Sequence, residues 1–361
     1  MKFFLKLDWI IIIAVLLLLC VGLVTLYSMS SFEGASGLNY FEKQLTSIGI
    51  GILLLLFFAF LDYRVLNSYS TKLYFVIIGI LSLLILIGTT IRGTTGWIGL
   101  GSFNIQPVEM TKLIMIIFLA SFLSKKKTYL SVVVRTIVSI ILVLIPVLLI
   151  LKQPDFGSAA IIIGIWTGML FASGLNKQVI AGLVLAGIIA TASGWFMLKD
   201  YQKERLVNFV NPERDPRGTG YNVLQSIVAV GSGGVWGKGL GHGSQSQLNF
   251  LPEKHTDFIF AVFSEELGLF GSGVILGIFG LLIYRIKEAA RLARDNFGYL
   301  LAVGVVMMLF LQVLVNVGMN IGVAPVAGVP LPFLSYGGSS MISVLASIGI
   351  IQSIYIRRIK I

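Results

Sequence analysis

Cysteine and histidine are almost missing from this chain, with one Cys and two His in 361 residues. Cys20 can close no intrachain disulfide, and it lies inside an apolar run where a thiol buried in the lipid region is the plain reading. His242 and His255 have no cysteine partners, so no zinc-type ligand set is present. Charge is scarce as well. Only 12% of residues are Asp, Glu, Lys or Arg, against about 25% in soluble domains. Hydrophobic residues make up 57%, and the mean hydropathy is +0.94. These values exclude an ordinary soluble domain and point to a polytopic membrane protein.

A span needs about 20 apolar residues. On that length the chain divides into ten candidates: 9–27, 45–61, 73–91, 108–123, 132–150, 158–174, 178–197, 258–284, 297–319 and 338–356. No small-residue cleavage site follows the first, which therefore reads as an uncleaved helix rather than a signal peptide. The expected fold is an all-α membrane protein, residues 1–361 forming one integral membrane domain.

Net charge is +11, which invites a nucleic-acid reading. The distribution argues against it. With the N-terminus placed in the cytoplasm, sixteen of the 27 basic residues fall on the cytoplasmic side, including Lys125 to Lys127, Arg285, Arg291, Arg294, Arg357 and Arg358. The short opposite-side segments hold only Lys43, Arg92, Lys112 and Lys152. That asymmetry is the orientation signal of a membrane protein. An even number of spans puts both termini inside. The segment 199–257 is then the one large extracytoplasmic loop. Within it, "YNVLQSIVAVGSGG" is too short to span and reads as an interfacial or re-entrant helix.

Few polar groups interrupt the apolar runs, so those that do are informative. "GSGGVWGKGLGHG" (231–243) has seven glycines in thirteen residues but fails the phosphate-loop pattern at Ser232 and Gly239. A tight, close-packed turn is favoured over a phosphate cradle. "QPVEMTKL" (106–113) places Glu109 and Lys112 on one side of a helix. They read either as an ion pair or as the wall of a polar cavity. In "KQPDFGSA", Asp155 is a candidate helix N-cap. "PLPFLSYGGSS" (330–340) reads as turn chemistry.

"LNFLPEKHTDFIFAVFSEELGLF" (248–270) crowds Glu253, Lys254, His255, Asp257, Glu265 and Glu266 against the start of a hydrophobic run. Asp257 is either an N-cap or a reactive carboxylate. Read as one helix, the stretch holds Asp257 and Glu265 about 12 Å apart, too far for the carboxylate pair of a glycoside hydrolase. A single carboxylate suits a different reaction. A sugar whose leaving group is a diphosphate needs a base for the attacking hydroxyl and cations for the departing charge, but no acid. Arg205, Lys238, Lys254 and Arg92 are candidate cations. An outward-facing site would take a donor already carried across the membrane, such as a sugar on a lipid diphosphate.

These stretches, with "NPERDPRGTGYN", resemble the SEDS proteins (shape, elongation, division and sporulation), and the form G-x-QSQL-x-FLPE-x-HTDFIF is similar to the RodA branch. The likeness runs over essentially the whole chain. It implies a peptidoglycan glycosyltransferase that polymerises lipid II on the outer face of the cytoplasmic membrane, for elongation and rod shape, with a class B penicillin-binding protein as partner alongside other elongation-complex proteins. It implies Asp257 as the essential aspartate, Glu109 and Lys112 as a functional pair, and Arg205 as a basic position of the outer loop. His255, Lys254, Lys238, Arg92 and Asp155 complete the candidate substrate-binding set. A divalent cation, Mg2+ or Mn2+, is expected and no organic cofactor. Two positions depart from the family pattern: Val108 stands where serine is usual, and Gly96 where arginine is common. The competing class is a lipid II flippase. A carrier wants polar groups near the midplane, whereas here they gather at the outer boundary.

Overall fold

A computed structural model of the chain describes residues 6–33, 35–91, 94–100, 103–125, 131–174, 219–248, 250–251 and 253–359, with a few single positions between 179 and 211. Among them are eleven α-helices and three short strands. In chain order these are α1 (Trp9–Glu33), α2 (Ala35–Phe60), α3 (Tyr63–Ile87), β1 (Thr89–Ile91), β2 (Thr94–Leu100), β3 (Phe103–Ile105), α4 (Pro107–Ser124), α5 (Val132–Lys152), α6 (Phe156–Ala172), α7 (Thr219–Ser232), α8 (Ser244–Gln247), α9 (Ile259–Arg291), α10 (Asn296–Asn320) and α11 (Gly338–Ile356).

Eight of these helices are long and apolar enough to cross a membrane, and α6 is a shorter apolar helix of 17 residues. Together they occupy nine of the ten expected spans; the tenth, 178–197, lies outside the described residues. Helix ends differ where apolar counting misplaces them. The third helix runs over 63–87 rather than 73–91, because Asp62 caps it by accepting from the Arg64 amide and Gly88 ends it. The residues that follow, Thr89 to Ile91, are β-branched and pair as a strand with 94–97. A three-stranded antiparallel sheet, β1-β2-β3, thus fills a connection that reads as a plain loop in sequence.

The outer faces of α2, α3 and α5 leave large apolar side chains exposed, Leu53, Leu86 and Leu148 among them. In lipid such faces need no protein cover. Helices α4 and α11 are the most enclosed, with 78% of their apolar windows buried. They form the centre, and α11 carries buried Ser343, Ser347, Gln352 and Ser353, the small and polar residues that let membrane helices approach and hydrogen-bond.

Helix α7, the expected interfacial helix, packs on α9 and α10, burying Ser226 and Ala229. The glycine-rich loop that follows has a structural purpose. Helix α9 is broken at Gly268, whose φ of 67° and ψ of −166° leave the helical region. The break frees carbonyls and amides that lipid cannot satisfy. The loop satisfies them: the Lys238 and Gly239 amides donate to the carbonyls of Glu265 and Glu266, while the Leu269 and Phe270 amides donate to the carbonyls of Gly234 and Val235. A β-carbon at Gly237 would collide with the Glu266 carbonyl, and one at Gly268 with the Gly237 backbone. The close-packed turn expected from composition is what forms.

Candidate active site

Asp257 lies in a tight turn ahead of α9. The Glu253 carbonyl accepts from the amides of Thr256, Asp257 and Phe258 at 3.1, 3.2 and 3.4 Å. Helix α9 starts at Ile259 with Phe258 as its N-cap. Asp257 thus stands one residue ahead of the N-cap position. It is half-buried and lines a cleft.

Three successive carbonyls of this turn are clamped from elsewhere. The Tyr336 amide donates to His255 O at 2.8 Å, and the Ser335 hydroxyl to Thr256 O at 2.6 Å. The Nδ2 groups of Asn316 and Asn320 both donate to Asp257 O at 3.0 Å. Buried carbonyls need partners, and here the partners also set the position of the Asp257 main chain.

The cleft encloses about 780 Å³ of empty space, open solvent at its mouth included. Its walls come from β2 (Thr94, Trp97), the segment 154–156, the turn at 256–257, the loop at 327–330 and the first turn of α11 (Gly338 to Ser340). Among the described residues its lining holds two carboxylates, Asp155 and Asp257, and no lysine or arginine. The first amides of α11 have no intrahelical acceptor and sit at the positive end of the helix dipole.

Asp155 is the N-cap of α6, accepting from the Ser158 amide at 2.9 Å, so its expected capping role holds. Its second oxygen accepts from Gln106 Nε2 at 3.3 Å, and Gln106 is anchored in turn by its amide donating to Ser339 Oγ at 2.8 Å. Burial pushes the Asp155 carboxyl up from its ordinary range, while the Ser158 amide and the field of Lys112 pull it back down.

Glu109 and Lys112 form an ion pair of 2.6 Å on α4, with side chains only 4% and 1% exposed. The pair stands behind the cleft, and its two charges act oppositely on Asp155, Lys112 lowering its carboxyl and Glu109 raising it. Lys238 pairs with Glu265 at 2.8 Å and with Ser244 at 2.9 Å, holding the glycine-rich loop to α9. Lys254 and His255 are buried beside the turn, and the His255 ring stacks on Tyr40 with centroids 4.8 Å apart. None of these residues contributes to the cleft wall. Arg92 and Arg205 lie outside the described residues. At Gly96, a β-carbon would approach Gln153 Oε1 to 2.6 Å. That buried oxygen has no hydrogen-bond partner among the described residues, so the missing side chain leaves space for the Gln153 amide. Val108 is core.

No three His, Cys, Asp or Glu side chains come together among the described residues. The oxygens of Asp257, Asp155, Ser339 and Ser340 around one cleft suit a hard cation such as Mg2+, which takes one or two carboxylates and completes its shell with substrate phosphate.

The residues that sequence reading missed are Asn316, Asn320, Ser335, Gln106 and the strand residues Thr94 and Trp97. Three carboxamides at four-residue intervals along one apolar span, Gln312, Asn316 and Asn320, were a visible signal. The sheet that brings Thr94 and Trp97 to the cleft had none.

Comparison with known proteins places the chain in a family. The sequence model of the FtsW/RodA/SpoVE family, described as cell cycle protein, matches residues 8–359. The peptidoglycan glycosyltransferase MrdB of Escherichia coli K12 is 38% identical over 345 residues, covering 95% of this chain and 93% of that one. The stage V sporulation protein E of Bacillus subtilis 168 is 38% identical over 357 residues, covering 96% of each. Among solved structures, a chain from work on the structural coordination of polymerization and crosslinking by a peptidoglycan synthase complex superposes with a TM-score of 0.82 at 30% identity, covering 98% of both chains. The rod shape determining protein RodA of Thermus thermophilus superposes at 0.73 with 27% identity, again over 98% of both. The chain belongs to the FtsW/RodA/SpoVE family.

Proposed function

We propose that this protein is a peptidoglycan glycosyltransferase of cell elongation. It joins lipid II disaccharides into glycan strands on the outer face of the cytoplasmic membrane, both its termini lying in the cytoplasm. The observation that carries the reading is a half-buried carboxylate, Asp257, held on a clamped turn at the wall of an open cleft. The names of the relatives support the same activity.

Asp257 accepts the proton of the acceptor GlcNAc 4-hydroxyl as that oxygen attacks the MurNAc anomeric carbon of the growing strand. The new glycosidic bond forms as the bond to the diphosphate oxygen breaks, and undecaprenyl diphosphate leaves with the electron pair. No proton donor is needed for such a leaving group. Its charge is met by the first amides of α11, a ready anion site, and by Arg205 of the outer loop. Asp155 or Asp257 would hold a divalent cation, and such a cation would supply further neutralisation of that charge.

A class B penicillin-binding protein is the proposed partner, supported by the synthase complex among the structural relatives. The flippase reading is less well served: the cleft is built from helix ends and loops, whereas a carrier places its site near the midplane. The test is lipid II polymerisation by purified protein with its class B partner and Mg2+, comparing wild type with Asp257→Asn. Glycan ladders from wild type and none from the variant are expected. Full activity in the variant would remove Asp257 as the base.

A further inference from the structure

Asn316 and Asn320 stand one turn apart near the end of α10, and both are fully buried. In lipid an amide side chain is costly unless it is bonded, and this pair is bonded throughout. Asn316 Nδ2 donates to Asp257 O at 3.0 Å and to Val329 O at 2.8 Å. Asn320 Nδ2 donates to Asp257 O at 3.0 Å and to Asn316 O at 2.7 Å. Asn320 Oδ1 accepts from the Ala261 amide at 3.0 Å, an amide in the uncapped first turn of α9. Ser226 Oγ of α7 donates to Asn320 O at 2.9 Å.

Two side chains thus bind the carbonyl of the proposed base, the helix that follows it, and the 327–330 wall opposite. That loop also faces Asp257 directly: a β-carbon at Gly328 would lie 3.7 Å from Asp257 Oδ2. The α9 start does without a side-chain cap of its own, and the Asn320 carboxamide serves that function from another helix. Both halves of the cleft near Asp257 are therefore referenced to one rigid stretch of α10.

We infer that Asn316 and Asn320 are positioning residues that together set the carboxylate of Asp257 against the cleft wall at Gly328. This rests on the reading of Asp257 as the base. Losing either donor removes one of the two asparagine bonds to Asp257 O, and losing both leaves the turn held only through its neighbouring carbonyls, His255 O and Thr256 O, so that the Asp257 end can shift. A displacement of about 1 Å at a reacting group can cost about 100-fold in rate. The effect should appear in kcat, because neither side chain touches substrate.

The experiment measures kcat and KM for lipid II in the partner complex for wild type, Asn316→Ala, Asn320→Ala, the near-isosteric Asn316→Asp and Asn320→Asp, and Ser226→Ala. Ser226→Ala is the control: it removes the bonds from Ser226 Oγ to Asn320 O and Oδ1 but leaves both Nδ2 donors to Asp257 O in place. Thermal unfolding in detergent reports the folded fraction of each. The expected result is a 10- to 100-fold fall in kcat for each folded asparagine variant with KM within threefold, and kcat unchanged in Ser226→Ala. Where an alanine variant fails to fold, the aspartate variant decides, since it keeps the shape and the Oδ acceptor but loses the amide donor. Asparagine variants that fold and keep kcat within twofold of wild type would overturn the inference while leaving the base assignment standing. A kcat loss in Ser226→Ala equal to theirs would overturn it as well, reducing the pair to scaffolding. Activity in Asp257→Asn, by contrast, would remove the base assignment and the positioning role with it.

Discussion

Removing Lys112 alone should cost far more stability than removing it together with Glu109. The two side chains form a 2.6 Å ion pair at 1% and 4% exposure, enclosed by α4 and α11, with Ser343 donating to the Glu109 carbonyl at 2.9 Å. Breaking a buried pair by deleting one partner typically costs about 3–5 kcal/mol, because the other charge is left uncompensated; replacing both with apolar or neutral groups of similar volume is often close to neutral. Against a total stability of about 5–15 kcal/mol, Lys112→Met loses a large fraction of the fold. Glu109→Gln with Lys112→Met should recover most of it. The assay is a double-mutant cycle on unfolding of the purified protein in detergent, with the coupling read as the difference between the double variant and the sum of the singles. A coupling of about 2–4 kcal/mol is expected from contacting charges of this burial. The same samples, tested for glycan synthesis, separate folding from chemistry. Because Lys112 does not line the cleft, the double variant should lose less activity than Asp257→Asn. Lys112→Met as stable as wild type, or a coupling near zero, would refute the picture of a sealed, mutually dependent pair.

Asp257→Asn should reduce polymerisation by about 100- to 10,000-fold, the usual contribution of a general base, with an unfolding midpoint close to wild type because the clamped carbonyl is retained; a large drop in the midpoint would show a structural role instead. Asp155 gives a pH dependence of definite sign. Burial raises its folded value above the ordinary value of about 3.9, so the folded state holds the proton more tightly, and stability present below that value is lost as pH rises through the folded one. Asp155→Asn should flatten this fall in a melting-versus-pH series; an unchanged slope would assign it to another group. Gly237→Ala meets a φ of +80° and the Glu266 carbonyl, so it should cost at least the 1–3 kcal/mol of a strained backbone. Gly273→Ala, with open space around its α-carbon, is the matched control and should melt with wild type.

Residue chemistry by itself determined a great deal. Apolar run length places nine of the ten expected spans on observed helices, because a bilayer dictates length whatever the packing. The Asp155 cap and the Glu109–Lys112 pairing were legible too, since each depends on neighbours within a few residues, and the glycine-rich turn was legible from its composition, although its partners on α9 lie about 30 residues away. Asp257 stood out through the crowd of polar groups around it, and the helix that follows it starts two residues on, at Ile259, because a helix start is settled by local φ and ψ, which composition does not specify to within one residue.

Only the tertiary structure decided the rest. Asn316 and Asn320 lie about 60 residues from Asp257 along the chain, Ser335 about 80, and nothing local marks them as its partners. Lys238, Lys254 and His255 share a face of the sequence with Asp257, yet packing turns Lys238 to Glu265 and His255 to Tyr40, away from the cleft. Which polar groups surround a reacting carboxylate is a matter of long-range contacts, each worth little in local propensity. A sequence read along its length sees the spans, and the helix ends meet only in three dimensions.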